Sequence, residues 1–114
     1  MDGSNMNNFK WGLSGTKALF FCPDLKNEEA CRAFSAHIES VLAEVKDEKM
    51  ELLVLDFSEC QEWDLPGIRM LASLANHCRN AEITLATTRA NDKLIYFFAE
   101  QGIDSLLPDL SECL

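Results

Sequence analysis

The stretch Leu52-Leu53-Val54-Leu55-Asp56-Phe57-Ser58-Glu59-Cys60-Gln61-Glu62-Trp63-Asp64-Leu65-Pro66-Gly67-Ile68-Arg69-Met70-Leu71 reads as a buried strand, a short acidic loop, and a helix that starts abruptly at Asp64-Leu65-Pro66-Gly67. A strand that feeds a helix through a short loop sets the helix N-terminus at the mouth of an α/β layer. Unpaired backbone N–H groups and a partial positive charge face outward there. The near-continuous apolar run over residues 51–57 predicts a central strand covered on both faces.

Upstream, the apolar runs 9–13 and 16–22 are separated by Ser14-Gly15, which predicts a hairpin. Strand alternation points Leu19 and Phe21 one way and Ala18, Phe20 and Cys22 the other. Residues 27–46 predict a helix capped by Asn27, with Glu28 and Glu29 at the positive end of its dipole. Ala30, Phe34, Ile38, Val41, Leu42 and Val45 make its apolar stripe. Downstream, residues 67–79 predict a second helix with Ile68, Leu71, Ala72, Ala75 and Cys78 on one face. Residues 83–87 predict a strand, and 91–101 a third helix stopped by Gly102, with Ile103 as the contact beyond a glycine cap. One of Phe97 and Phe98 should be partly exposed, since adjacent helical residues point about 100° apart. Pro108 and the tail 109–114 predict a last turn or a truncated helix. Strands alternating with helices imply right-handed crossovers onto a mixed sheet of about four to five strands with helices packed against it, an α/β domain over residues 9–114 after a flexible segment 1–8.

The 114 residues suit one domain, and 47% hydrophobic content can build a core without metal or disulfide. Net charge is −9, from 19 acidic and 10 basic side chains, which opposes nucleic-acid binding and docking on anionic lipid. The five cysteines are odd in number and lack C-x-x-C spacing, so they read as reduced thiols acting as small hydrophobes in a cytoplasmic protein. His77-Cys78 is isolated, which leaves no metal site. The polar segment 1–8 has no apolar core and does not read as a secretory signal. No apolar run approaches the ~20 residues of a membrane helix.

Enzyme chemistry finds little support. No Ser, Cys or Thr is visibly paired with a His and a carboxylate. His37 lies beside the stripe of the first helix, and His77 near the end of the second, where a cation suits the dipole. Neither G-x-x-x-x-G-K-[ST] nor G-x-G-x-x-G occurs, and no cofactor is expected. Glu59, Glu62 and Asp64 crowd the approach to the second helix, with Arg69 the sole nearby cation of the motif. They would repel a phosphate unless Arg89 or Lys93 were recruited from the next loop. Asp64 reads either as a helix cap or as part of a docking face. Trp63 reads either as a partner anchor or as the staple contact at the helix entry.

An apolar strand, Asp56, Phe57, Ser58, a short loop, Asp64, two residues, Gly67 and Ile68 together resemble the STAS domain of anti-sigma factor antagonists and of sulfate-transporter-like anion transporters. The resemblance covers about residue 9 to the C-terminus. It implies a regulatory, non-enzymatic domain that works by protein–protein interaction. In the antagonists a kinase-like partner phosphorylates a Ser or Thr just after the loop Asp. The matching positions here are Leu65 and Pro66, neither of which carries a hydroxyl, so the resemblance implies a docking face without that phosphorylation switch. The expected partner-binding residues are Glu62, Trp63, Asp64, Leu65, Pro66 and Arg69, with Gly67 permitting close approach. The implied partner is an anti-sigma factor of kinase-like fold or a transporter ATPase, and a homodimer stays open. The alternative is a small-ligand or lipid-binding accessory or sensor domain of a transport system, with its pocket between sheet and helices. A detached regulatory tail of an anion transporter is the third reading.

Overall fold

The computed structural model describes residues 9–44 and 49–113. The segment 1–8 and the last expected helical residues, Val45 and Lys46, lie outside them. β1 (Trp11–Ser14) runs antiparallel to β2 (Lys17–Phe21). The turn between them places Gly15 at φ +61°, a left-handed backbone that glycine adopts without a Cβ clash. β2 pairs in parallel with β3 (Leu52–Asp56), and β3 with β4 (Thr84–Thr88), giving one mixed four-stranded sheet in the order β1-β2-β3-β4. Parallel neighbours need a crossover. Here the crossovers are α1 (Glu28–Glu44) and α2 (Leu65–Asn80). After β4 come α3 (Asp92–Glu100), a single 3-10 turn (Asp104–Leu106) and the short α4 (Leu110–Cys113).

The hairpin alternation appears as expected: Ala18, Phe20 and Cys22 are buried, while Leu19 and Phe21 are half-buried. Register aligns Ala18, Leu53 and Leu85 across the sheet, and Phe20 with Leu55. These side chains meet Phe34 and Ile38 of α1, Leu71 and Leu74 of α2, and Leu94 and Phe98 of α3 in one core. Each such Leu or Phe contributes about 1.5–3 kcal/mol by leaving water. α1 is capped by the expected Asn27, and α3 by Asn91, which was expected as its first residue. Asn27 Oδ1 accepts from the Ala30 amide at 2.7 Å, and Asn91 Oδ1 accepts from the Leu94 amide at 2.8 Å. Gly102 takes φ +74°, and the amide of buried Ile103 donates back to the Phe98 carbonyl at 3.0 Å. Phe98 is buried and Phe97 half-buried.

Three expectations need correction. The deepest α1 residues are Cys31, Phe34, Ile38 and Val41, so Cys31 rather than Ala30 leads the stripe. The buried face of α2 carries Gly67, Met70, Leu71, Leu74, Ala75 and Cys78, while Ile68 and Ala72 are half-buried at its edge. Contact at Gly67 turns the helix toward that line. The central strand, finally, is not sealed on both faces. The helices cover the Leu53/Leu55 face, whereas Leu19, Leu52 and Val54 on the other face line an open groove of about 570 Å³ with Leu13 and Leu110.

Candidate functional site

The loops after β2 and β3 meet at the C-terminal edge of the parallel strands and run side by side. Leu25 and Trp63 form a parallel bridge. The Leu25 amide donates to the Glu62 carbonyl at 2.8 Å, and the Asp64 amide donates to the Leu25 carbonyl at 3.0 Å. Asp24 fastens the same pair of segments, its Oδ1 accepting from the Gln61 amide at 2.7 Å and the Glu62 amide at 3.1 Å. The acidic loop is therefore a shaped structure, and its charges are partly matched. Lys10 Nζ lies 2.8 Å from Glu59 Oε2, and Lys26 Nζ lies 3.3 Å from Glu62 Oε1. Exposed pairs of this kind add about 0–1 kcal/mol of stability, and they bring the loop two cations from outside the motif that holds Arg69.

Asp64 starts α2 from an extended backbone, and its Oδ1 accepts from the Leu65 amide at 2.8 Å. Its carbonyl accepts from the Gly67 amide at 2.9 Å. Pro66, in the first turn, withholds a donor that the turn does not need. Asp64 thus caps the helix and remains exposed. Leu65 stands 46% exposed beside it, a large apolar side chain at a helix start. Arg69 is exposed one turn on, and with Pro66 it borders a shallow groove between α1 and α2 that includes Arg32 and Glu39. Glu62 is exposed. Trp63 is half-buried against the core, and its ring centre lies 6.4 Å from that of Phe97 on α3. Gly67 departs from expectation. It is buried, and a Cβ there would sit 2.7 Å from Leu25 Cβ, so the close approach it permits is to the β2–α1 loop.

Sequence reasoning missed one pair altogether. Asp56, at the end of β3, is 2% exposed, and the guanidinium of Arg89 lies on its carboxylate, Nε at 2.9 Å and Nη2 at 2.5 Å from Oδ2. Oδ1 accepts from the Ser58 amide at 2.8 Å. Burial opposes ionisation of Asp56, but the hydrogen bonds from Arg89 and Ser58 outweigh it and hold the carboxyl below its ordinary range. Arg89 also lies 5.9 Å from the Phe21 ring centre and takes φ +55°, so it is committed to the ends of three strands. It is not the recruitable phosphate ligand that the sequence suggested. The available signal was an Asp ending an apolar strand, with nothing to name its cation.

Cys22, Cys31, Cys60 and Cys78 are buried and free, and burial pushes the Cys78 thiol up to about 11. Among the described residues no group of His, Cys, Asp and Glu could hold a metal ion. No helix among them is long and apolar enough to cross a membrane.

A family model described as "Mlab, STAS domain" matches residues 27–108. No curated protein sequence matches. Among solved structures, a crystal structure of the Thermotoga maritima protein TM1081, named as a candidate anti-sigma factor antagonist, superposes with a TM-score of 0.73 at 14% identity, covering 92% of this chain and 90% of that one. A solution NMR structure of the same protein, TM1081, superposes with a TM-score of 0.71 at 14% identity, covering 94% of this chain and 84% of that one. At this identity the superpositions show a shared fold.

Proposed function

Because the chain belongs to the STAS domain family, which its match over residues 27–108 establishes, we propose that it is a non-enzymatic regulatory module that works by binding another protein. The docking surface is the rim at the start of α2: Glu62, Trp63, Asp64, Leu65, Pro66 and Arg69, with Gly67 seating the helix from beneath. The observation that carries this reading is Leu65, an apolar side chain 46% exposed at a capped helix start, with exposed Arg69 one turn away. Partner surfaces reward such a mixture, an apolar centre with a polar rim. An anti-sigma factor of kinase-like fold is the partner that the antagonist resemblance favours, and a transporter ATPase is the second candidate. With Leu65 and Pro66 at the phosphoacceptor positions, binding is constitutive at this site or regulated elsewhere.

The test is a pull-down from host extract with the unaltered chain and with a Trp63→Ala, Arg69→Glu variant, each bound protein identified by mass spectrometry. An anti-sigma factor or transporter ATPase recovered by the unaltered chain and lost by the variant supports the surface. Equal recovery of every partner removes it.

The open apolar groove lined by Leu13, Leu19, Leu52, Val54 and Leu110 supports a second reading, a small-ligand accessory domain. The space between sheet and helices that the sequence reading proposed for such a ligand is filled by Phe20, Phe34, Leu55 and Leu71, each at most 1% exposed. Native mass spectrometry of protein taken from the host discriminates: a bare polypeptide mass counts against a ligand.

A further inference from the structure

The parallel run of the β2–α1 and β3–α2 loops has a covalent consequence. Leu25 is bridged to Trp63, and Asp24 is bonded to the amides of Gln61 and Glu62. Behind that bridge Cys22 continues the β2–β3 ladder opposite Phe57, its amide donating to the Asp56 carbonyl at 2.7 Å, and the turn after Phe57 brings Cys60 back beside it, the Cys60 amide donating to the Phe57 carbonyl at 3.1 Å. Both side chains point into the same core, Cys22 at 0% and Cys60 at 1% exposure. Cys60 Sγ lies 3.7 Å from the Glu62 carbonyl oxygen, and the two thiols are close enough for each to shift the other's ionisation.

We propose that Cys22 and Cys60 are a redox-active pair, which a low-molecular-weight disulfide oxidises to a cross-link that fastens the α2-entry loop to the end of β2. Cys60 is the attacking thiol. The neighbouring Cys22 thiol lowers its pKa, whereas burial raises that of Cys22. The Cys60 thiolate, its proton lost to solvent, attacks one sulfur of oxidised glutathione and expels a glutathione thiolate. The Cys22 thiol then loses its proton, attacks the Cys60 sulfur and expels the second glutathione thiolate. Two thiols and one disulfide become one disulfide and two thiols, with both electrons passing to glutathione. Since both sulfurs are buried, the reaction waits for the loop to lift, so its rate reports that opening.

Cys31 is the competitor, buried in the same core and close enough to Cys60 for their charges to interact. It sits in the first turn of α1, apart from the ladder end and turn that hold Cys22 and Cys60, and for that reason is not assigned to the pair.

The folded full-length chain is incubated with excess oxidised glutathione, remaining thiols are alkylated, and the product is mapped without reduction. Trypsin leaves Cys22 in peptide 18–26, Cys31 in 27–32 and Cys60 in 50–69, so the pairing is read directly. The expected product is a monomer that has lost two hydrogens, with peptides 18–26 and 50–69 joined, and that regains its mass on reduction. A Cys31–Cys60 linkage, a glutathione adduct that proceeds no further, or thiols unchanged after oxidation overturns the proposal. The experiment involves no partner, so its failure and that of the docking surface are separate.

Discussion

Arg89 closes over the end of β3 onto Asp56, its Nε 2.9 Å from the buried Oδ2. The contact ties the ends of two parallel strands together at the edge where the sheet's loops gather. It also uses the cation that a phosphate arriving at this edge would need. Oriented charge at this rim therefore serves the fold first, which suits a protein-docking surface better than a nucleotide site.

Replacing Arg89 with Ala leaves the Asp56 carboxylate buried without its cation. Since the Arg89 side chain is 60% exposed, the expected loss is about 1–3 kcal/mol, below the cost of breaking a wholly buried pair. The Asp56 pKa is depressed in the folded state from an ordinary 3.8. Its contribution is thus fully present above that value and is lost as pH falls through the lower folded value. Urea denaturation should show the full gap between the two proteins at about pH 7 and a narrowed gap near pH 3.

Gly67→Ala sets two effects against each other. Helix propensity favours Ala in a helix interior by about 1 kcal/mol. The added Cβ would sit 2.7 Å from Leu25 Cβ and 3.1 Å from the Leu25 carbonyl oxygen, where backbone cannot yield cheaply. Overpacking of this kind costs about 1–3 kcal/mol, so the variant should be less stable in a urea titration. Gly12→Ala, with nothing within 4 Å of its Cβ, should not share the loss.

Much of this frame was legible in the chain. Alternation in 16–22, the Asn27 cap and the Gly102 stop are local signals, and each expected strand and each of the three long helices formed, among the described residues, within about two residues of its expected span. The helix start at Asp64-Leu65-Pro66-Gly67 was legible for the same reason, because capping needs only neighbours in sequence. What stayed hidden required long-range pairing. Arg89 meets Asp56 across 33 residues, Lys10 meets Glu59 across 49, and Leu25 dictates the glycine at position 67. Composition cannot name such partners. Nor could the apolar run 51–57 reveal that one of its two faces opens onto a groove, since both faces carry Leu or Val in either case.

His37 should give the fold a pH dependence near neutrality. Its ring lies 5.1 Å from that of Phe9, 5.8 Å from Trp11 and 5.7 Å from Phe20, and its Nε2 is buried without a hydrogen-bond partner. Burial lowers its pKa from 6.5 in the folded state. As pH falls through 6.5 the unfolded chain takes up the proton first, so stability declines until the folded value is passed and then levels off. His37→Phe keeps an aromatic ring in the cluster and removes the proton. Its urea midpoint should change less than that of the unaltered chain between about pH 7.5 and 5.5.

Asp24→Ala separates the shape of the docking rim from its chemistry. Asp24 lies outside the proposed contact residues, yet its Oδ1 holds the Gln61 and Glu62 amides. Removing the carboxylate forfeits two charge-assisted bonds on an exposed loop, worth about 1–2 kcal/mol. Hydrogen exchange at those two amides should quicken, while exchange in β3, buried beneath the loop, changes less. If the rim binds its partner as a preformed surface, the same variant weakens binding with every contact side chain intact, because the partner must then order the loop. Unchanged affinity alongside faster exchange would place the docking surface away from Glu62 and Trp63, toward Leu65 and Arg69 on the helix itself.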